Sequence, residues 1–554
     1  MKTIDLRPDR ALLKPNFDGY KLSLEPIPIL RTELAADSQP NRIRPNEAQY
    51  SHLHAQMFGL QNLLVRDPWA GGSCYFVSRD LSVCWAQYSE LSGRMLPLAK
   101  VFKMDAAVSA EPYNCSVVFL SEKFALVADG RDGLHVVDTG DRRKGGEWQK
   151  VFTLASPEWP GSCVLEDGRF EIVNGERQIH AVGAYVTQED GTFKTVLHWV
   201  KIAQKNSNDP WVFHSSQELK GRGYAYYCTL EPKSNALVVA SDKPFKFVTN
   251  GESADQPMEE EEKEPGLPDA PFFSWIQTSE NITITVPKVE GVEYKVSNEN
   301  CKLSVLSGTT SIINEDGWFA EVDGELTSWI NESNEIQITL FKTIPGIWPF
   351  LYPGSPEEKC DRMDQDMAPA SNLTSQLEEC DFGTAGDDTE YTIERLDGTS
   401  TETTHRVFLG GNPPLFRVML RPGFPDAIAL RNDVDACLWL QHPGTTDWFL
   451  RHEGTLHAFG YVQASKQQRK FMSCSPDFNY AVICEAQRHI FIYKANYNTA
   501  GGLRNRNGPQ ISIGQQKLVS LDGSSEILGL CCENDYTMLL LEGEILVLQL
   551  RIEE

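Results

Sequence analysis

Seven short stretches of the sequence repeat one pattern, in which an apolar run, a polar turn and a second apolar run follow one another. They begin at Cys74, Ala125, His180, Ala236, Ala427, Ala481 and Thr537. The first four starts are 51, 55 and 56 residues apart, and the last three are 54 and 56 apart. Val, Ile, Leu and aromatic residues around Asp, Gly or Asn predict an antiparallel hairpin in each stretch. A regular period of several strands is typical of a β-propeller built of four-stranded blades.

Seven hairpins predict seven blades, and the repeat is interrupted once. The starts at Ala236 and Ala427 are 191 residues apart, which is one more interval and about 137 extra residues. We therefore expect an all-β fold in which a seven-bladed β-propeller is split by an inserted domain. A series of β-sandwiches is the alternative, since it also has strands bounded by turns. The ring would close when one terminus completes a blade of the other, and Tyr20–Pro26 is the expected closing strand.

The insertion has its own strand pattern. Ile282, Ile284 and Val286 alternate with polar residues, and about seven such short runs follow one another in 70 residues. Period-two alternation with frequent turns predicts a two-sheet antiparallel β-sandwich. The predicted organisation is a first propeller part over 1–250, an acidic linker over 251–270, the sandwich over 271–352, an acidic linker over 353–400 and a second propeller part over 401–554.

The negative charge is concentrated beside the insertion. The formal charge is 51 − 77 = −26, of which residues 251–270 carry −7 and residues 351–400 carry −10. Repelling carboxylates and prolines predict extended, solvated linkers, although docking on a basic patch of a partner is an alternative. Residues 372–380 are compatible with a helical turn or two. We expect no direct nucleic-acid partner, because a chain this acidic is not attracted to nucleic acid.

Cysteine usage and hydropathy bear on the compartment. The thirteen cysteines form no C-x-x-C pair, and several lie inside apolar runs, which indicates reduced, buried thiols. The N-terminus has no apolar signal region, and no run of about 18 apolar residues occurs. We expect a cytoplasmic and nuclear protein with no membrane partner.

Motifs for catalysis or metal binding are weak. There is neither a G-x-S-x-G elbow nor a phosphate-binding G-x-x-x-x-G-K-[ST] loop. His452 and His457 are five residues apart, which separates them by about 140° on a helix, and His52 and His54 have no third ligand at a suitable spacing. We therefore predict a non-enzymatic protein without a cofactor or a metal.

The insertion resembles the CS domain of the NudC family. The matching residues are Phe273-Ser274-Trp275 with Gln277, Gly324-Glu325-Leu326 before Ser328-Trp329-Ile330, and Ile336–Lys342 followed by Trp348. Phe273 replaces the commoner Tyr, and Pro349 departs from the family pattern beside Trp348. The resemblance implies a non-enzymatic protein whose partners are a chaperone of the ninety-kilodalton heat-shock class and propeller-type or dynein-linked clients.

Two functional hypotheses follow. In the first, the protein is a co-chaperone-like adaptor that uses the CS-like domain and the propeller to bring a chaperone and a client, or subunits of a complex, together. In the second, the propeller alone binds partners and the CS-like domain is a regulatory cover. Tryptophans in a sandwich are mostly core residues, but Trp348 and Phe350, near the end of the domain, are the candidate protein-binding residues because aromatic side chains anchor interfaces.

Overall fold

The structure, a computed structural model, describes most of the chain. The described residues are 1–105, 108–248, 273–277, 281–288, 294–299, 302–307, 310–315, 318–320, 322–331, 335–343, 348, 351, 389–443, 447–466, 468–495, 512–521 and 525–550. The predicted linker over 251–270 and the predicted helical turns over 372–380 lie outside these residues. The chain divides into two compact units, one formed by Met1–Gly251 with Asp387–Glu554 and the other by Glu252–Gly386.

The first half of the propeller unit starts with an N-terminal arm. Its elements are β1 (Lys2–Thr3), a 3-10 turn (Arg10–Leu12), β2 (Phe17–Ser23), β3 (Ile29–Glu33), a 3-10 turn (Ala36–Ser38) and α1 (His52–Leu60). Blade 1 contains β4 (Val65–Arg66), β5 (Ser73–Val77), β6 (Ser82–Ser89), β7 (Arg94–Met95) and β8 (Ala99–Lys103). Blade 2 contains β9 (Ser116–Phe119), β10 (Phe124–Ala128), β11 (Leu134–Asp138), a 3-10 turn (Arg142–Lys144) and β12 (Gln149–Leu154).

Blades 3 and 4 lead into the insertion. Blade 3 contains β13 (Val164–Val173), β14 (Glu176–Glu189), β15 (Thr192–Gln204) and β16 (Val212–Gly221). Blade 4 begins with β17 (Ala225–Leu230) and β18 (Ala236–Ser241), and β19 (Phe245–Phe247) then joins the outer edge of blade 3. The strands of the insertion are β20 (Ser274–Gln277), β21 (Asn281–Pro287), β22 (Tyr294–Glu299), β23 (Lys302–Ser307), β24 (Thr310–Glu315), β25 (Val322–Asn331) and β26 (Glu335–Lys342).

The remaining strands complete the ring. Blade 4 ends with β27 (Tyr391–Asp397) and β28 (Glu402–Gly410). Blade 5 contains β29 (Phe416–Val418), β30 (Ala427–Asn432), β31 (Asp435–Gln441) and β32 (Leu450–Leu456), and α2 (Phe459–Ala464) follows it. Blade 6 contains β33 (Arg469–Cys474), β34 (Tyr480–Glu485), β35 (His489–Lys494) and β36 (Ser512–Ser520), and blade 7 contains β37 (Ile527–Cys532), β38 (Tyr536–Leu541) and β39 (Glu544–Gln549).

Apolar side chains between neighbouring blades form the propeller core. A separate buried cluster lies at each of the six boundaries from blade 1 to blade 7. A seventh cluster joins blade 7 to blade 1, where Met538 packs with Phe76. Because every blade has an apolar neighbour on both sides, the ring is closed. The predicted seven-bladed β-propeller with an inserted sandwich is confirmed.

The strand that closes the ring differs from the prediction. β3 pairs antiparallel with β39, from Ile29 opposite Leu548 to Glu33 opposite Glu544, and becomes the fourth strand of blade 7. The expected closing strand, Tyr20–Pro26, was wrong, because β2 instead adds parallel to β36 as an outer fifth strand of blade 6. The alternating pattern of Tyr20–Leu24 favours it over Ile29–Glu33, which does not alternate, but the pairing with β39 decides which strand closes the ring.

The fourth predicted hairpin and one predicted boundary are also corrected. β18 pairs with β27, from Ala236 opposite Asp397 to Ser241 opposite Thr392, so the insertion lies inside the central strand pair of blade 4. The predicted linker over 353–400 therefore extends too far, since Tyr391–Asp397 is a propeller strand with buried Ile393 and Leu396. A run of apolar residues indicates that a strand is present. It does not indicate which strand pairs with it when the two are about 150 residues apart in sequence.

The inserted unit is a two-sheet sandwich. One sheet has the order β20-β21-β26-β25 and the other β22-β23-β24. Trp275, Ile284 and Ile338 are buried between the sheets with the other inward residues of the alternating runs. The seven predicted short strands are therefore present. No helix in the described part of the whole chain is long and apolar enough to cross a membrane.

Candidate protein-binding surfaces

The Gln277 side chain fixes the end of the sandwich. Its Oε1 accepts hydrogen bonds from the Trp348 backbone N–H at 2.8 Å and from Lys342 Nζ at 2.7 Å. Its Nε2 donates to the Trp348 carbonyl oxygen at 2.8 Å. Lys342 Nζ also lies 5.4 Å from the centre of the Trp348 ring, which is a cation–π distance. These contacts hold Trp348 against β20, which carries Gln277, and β26, which ends at Lys342.

Trp348 is consequently a core residue. Its side chain is 3% exposed and packs with Trp275 and Leu351 in the sandwich core. The expectation that Trp348 is the most exposed of the sandwich tryptophans was wrong, because Gln277 binds its backbone N–H and carbonyl and its ring packs in the core. The other candidate, Phe350, lies outside the described residues. A partner-binding role for either residue stays a prediction.

Among the described residues of the sandwich, two other aromatic residues are exposed. Phe319 is 44% exposed and Trp329 is 43% exposed. The Phe319 ring packs at 5.8 Å from the Trp348 ring, and its backbone N–H donates to the Leu351 carbonyl at 3.0 Å. Trp329 lies on β25, the edge strand of its sheet, opposite the buried Ile338. Exposed aromatic side chains on ordered backbone are typical anchors of protein interfaces.

Sequence reasoning missed these two residues for an identifiable reason. It grouped Trp329 with the other sandwich tryptophans as core or edge packing. In the structure Trp329 is opposite the buried Ile338, so its register places it on the inner face. Since β25 is an edge strand, half of that inner position remains open. The signal that could have identified it is the cluster of polar residues around it, Thr327, Ser328 and Asn331, which is unusual beside a fully buried tryptophan.

The first strands of the propeller blades line its centre. Across the channel, Arg417 on β29 donates to Glu166 on β13, with 3.2 Å between Nη1 and Oε2. The Arg417 side chain is 38% exposed and that of Glu166 is 14% exposed. Burial raises the pKa of the Glu166 carboxyl, and the nearby Arg417 charge opposes this rise. At this position in the channel, the charged side chains of two blades are paired with each other.

One end of the channel is covered by α1. Phe58 stacks on Tyr113 before β9 with ring centres 5.2 Å apart, and Gln56 Nε2 donates to Tyr226 Oη on β17 at 3.1 Å. Just beyond the helix, Asn62 Nδ2 donates to the Leu530 carbonyl at 2.7 Å. The helix is thus tied to blades 2, 4 and 7. Tyr50, just before the helix, and Leu60, at its end, are 69% and 45% exposed.

The loop after β29 lies over the other end. Arg66 of blade 1 donates from Nη1 to the Met419 carbonyl at 3.4 Å, and Arg169 of blade 3 donates from Nη1 to the Gly423 carbonyl at 3.1 Å. Arg66 is itself held by a bidentate ion pair with Glu533, at 2.9 Å and 3.0 Å. Because segments of the chain lie over both ends, a partner protein has the blade rims and outer edges to contact rather than the channel.

Comparison with known proteins identifies the chain's relatives. No family model matches the sequence. The mouse protein named NudC domain-containing protein 1 is 28% identical over 590 aligned residues, which cover 99% of both chains. The Xenopus laevis protein of the same name is 29% identical over 576 residues, 96% of each chain. The chain is a homologue of NudC domain-containing protein 1. A solved structure of Sqt1 from Chaetomium thermophilum is also similar, with 10% identity, 89% of this chain and 97% of that chain covered, and a TM-score of 0.36.

The homology with NudC domain-containing protein 1 includes both units. An alignment over 99% of each chain runs through the propeller strands before and after the insertion as well as through β20–β26.

The histidines considered as metal ligands have other partners. His452 Nδ1 accepts from the Asp9 backbone N–H at 3.0 Å, and its ring packs on Trp439 with 5.2 Å between centres. His54 Nδ1 lies 2.8 Å from Ser51 Oγ at the start of α1. Within the described residues no group of three or more His, Cys, Asp or Glu side chains is arranged to hold a metal ion.

Proposed function

We propose that this chain is a non-enzymatic adaptor, co-chaperone-like in its action, that binds one protein through its sandwich and another through its propeller. The observation that carries the proposal is the presence of two separate compact units in one chain. The sandwich exposes Phe319 and Trp329, and the propeller has segments over both ends of its channel. Two binding units in one chain raise the effective concentration of one partner near the other.

The identity of the two partners is inferred from the NudC resemblance. The partner of the sandwich would be a chaperone of the ninety-kilodalton heat-shock class, and the propeller would bind a propeller-type or dynein-linked client. The protein would act in the cytoplasm and the nucleus, without a cofactor. The homology to proteins named for a NudC domain supports the NudC resemblance on which these assignments rest.

The second candidate function is a propeller scaffold whose sandwich only covers or regulates the ring. The exposed Tyr50 favours it, since its ring packs edge-on against Phe193 at 5.1 Å and forms an ordered aromatic surface on the propeller itself.

A deletion distinguishes the two candidates. Residues 252–386 would be replaced by a short Gly/Ser linker, and purified chaperone and client proteins would be tested for binding by the full chain and by the deleted chain. The adaptor requires that chaperone binding be lost while client binding remains. Unchanged binding of both proteins would reject the adaptor in favour of the scaffold. Circular dichroism and thermal melting would establish that the ring still folds cooperatively.

Point variants sharpen the test. The double variant Phe319→Ala with Trp329→Ala should weaken chaperone binding at least tenfold, since interface aromatics commonly contribute about 2 kcal/mol or more. Ile172→Ala is the matched control, because Ile172 is 64% exposed on blade 3. Equal effects of the double variant and the control would exclude the sandwich aromatics as the contact.

A further inference from the structure

The N-terminal six residues occupy an outer seam of the propeller. β1 pairs parallel with β28 at only two positions, Lys2 opposite His405 and Thr3 opposite Arg406. The Ile4 backbone N–H extends the ladder by donating to the Arg406 carbonyl at 2.8 Å. This is the pattern by which an extended peptide adds a strand to a sheet edge.

Two aliphatic side chains anchor the segment. Ile4 and Leu6, two residues apart, pack on the apolar cluster between blades 4 and 5, as Leu409 and Trp448 also do. Because alternate residues of an extended chain point the same way, both anchors face the seam. The segment is thus held to the propeller both by main-chain hydrogen bonds to β28 and by its alternate side chains, Ile4 and Leu6, in the apolar cluster.

The carboxylate of Asp447 binds the N-terminal end of the segment. Asp447 binds Lys2 Nζ through one carboxylate oxygen, and its other oxygen lies 2.8 Å from His405 Nε2. The Asp447 side chain is 47% exposed, so it is reachable by a basic residue of another chain. These contacts lower the pKa of the Asp447 carboxyl, which keeps it charged at neutral pH.

Space remains beside the N-terminal segment, on the side that faces blade 5. A cavity of about 620 Å³ lies between Ile4–Asp9 and β32, with Trp439, Phe449 and Leu450 among its lining residues. Its lining also includes the charged residues Asp5, Arg7, Asp9, Arg451 and Glu453. Ile4 and Leu6 themselves line this space, so the segment forms one wall of it and β32 forms the other.

We propose that the seam between blades 4 and 5 is a docking site for an extended segment of a partner protein, and that Lys2–Leu6 occupies it in cis. The partner segment runs parallel to β28 and carries a basic residue followed by two apolar residues spaced two apart. A ladder of two residue pairs is short enough to open, so the cis segment competes with the partner instead of excluding it. The apparent affinity of a partner falls in proportion to the fraction of chains whose seam is open. This site does not depend on the adaptor function.

The test uses the full chain and a labelled peptide, MKTIDLRPDR, which is residues 1–10 of the protein. Its binding would be measured by fluorescence anisotropy to the wild-type chain and to the double variant Ile4→Asp with Leu6→Asp, in which the cis anchors are lost. We expect the variant to bind the peptide about tenfold more tightly or better, because its seam is open. A peptide in which Ile and Leu are replaced by Asp should bind neither chain.

Further variants keep the test decisive. Lys2→Glu removes only the exposed ion pair, leaves the apolar anchors in place and should also tighten peptide binding. Asp447→Lys in the double variant should weaken it again. Ile172→Asp, an exposed change on blade 3, should leave it as in the wild type. If a folded double variant and a folded Lys2→Glu chain both bind the peptide no better than the wild type, the seam is a permanent part of the fold and the proposal is wrong.

Discussion

Asp67 and Arg142 form an ion pair between blades 1 and 2, with Nε donating to Oδ2 at 2.5 Å and Nη2 donating to Oδ1 at 3.2 Å. The side chains are 0% and 2% exposed, respectively. Arg142 also donates to the carbonyl oxygens of Ser121 and Glu122, each at 2.9 Å. Its guanidinium lies 4.7 Å from the Phe119 ring centre. A buried charge with this many partners is costly to disturb.

The first prediction concerns this ion pair. Arg142→Ala leaves the Asp67 carboxylate buried without its partner and should lower the free energy of unfolding by about 3–5 kcal/mol. Arg143→Ala is the matched control, because its pair with Asp141 is exposed and screened by solvent, and so contributes little to stability. Guanidinium unfolding followed by circular dichroism compares the two variants with the wild type. Equal midpoints for all three chains would contradict the structural role of the pair.

The second prediction separates the two sandwich tryptophans. Trp348→Ala should destabilise the sandwich by about 3–5 kcal/mol, since it empties a core position. Trp329→Ala should cost less than half as much, because the Trp329 side chain is 43% exposed. Calorimetry of the full chain would show the difference in the transition of the inserted unit. A larger loss for Trp329→Ala would show that the edge strand is more deeply covered than described.

The third prediction concerns the cysteines. Ten of them, Cys74, Cys84, Cys115, Cys163, Cys228, Cys437, Cys474, Cys484, Cys531 and Cys532, are buried and free. Burial raises the pKa of the Cys115 and Cys437 thiols to about 11 each, so little thiolate exists at pH 8. At most three of the thirteen thiols should react rapidly with Ellman's reagent at pH 8, and all thirteen should react in denaturant. Rapid reaction of four or more in the native state would be incompatible with this burial.

The fourth prediction follows the charge that holds the N-terminal segment. The hydrogen bond from Lys2, and then that from His405, lower the pKa of Asp447 to about 2. Since the folded value is depressed, this contact stabilises the fold above the ordinary aspartate pKa near 4 and is lost as the pH falls through about 2. A carbon-13 NMR titration of the Asp447 carboxyl should show that Lys2→Ala raises its pKa more than His405→Ala does. No change with Lys2→Ala would mean that the segment is not seated on β28.

Local pattern was sufficient for most of the architecture. Six of the seven predicted hairpins are present, because in those six the two strands that pair are neighbours in sequence and the turn between them joins them directly. The fourth fails because an inserted domain separates β18 from its partner β27. Pairing across such a gap depends on the surrounding blades, which a local apolar run does not encode.

The candidate surfaces were harder to predict than the fold. The sequence favours Trp348 over Trp329 as the exposed tryptophan, yet Trp329 is half exposed and Trp348 is buried. The position of β25 at a sheet edge and the three hydrogen bonds of Gln277 decide the difference. Edges and long-range side-chain contacts exist only once the sheets are assembled.

By itself the sequence determined the all-β class, the number of blades, the inserted sandwich and the concentration of charge beside it, because apolar periodicity and composition are local properties of a chain. Only the tertiary structure decided which N-terminal strand closes the ring, that α1 and the β29–β30 loop lie over the channel ends, and that Lys2–Leu6 lies in the seam beside blade 5. Each of these features depends on contacts between segments that are far apart in sequence. Such contacts form only after the ring has assembled and its strand edges, apolar clusters and charges have come together.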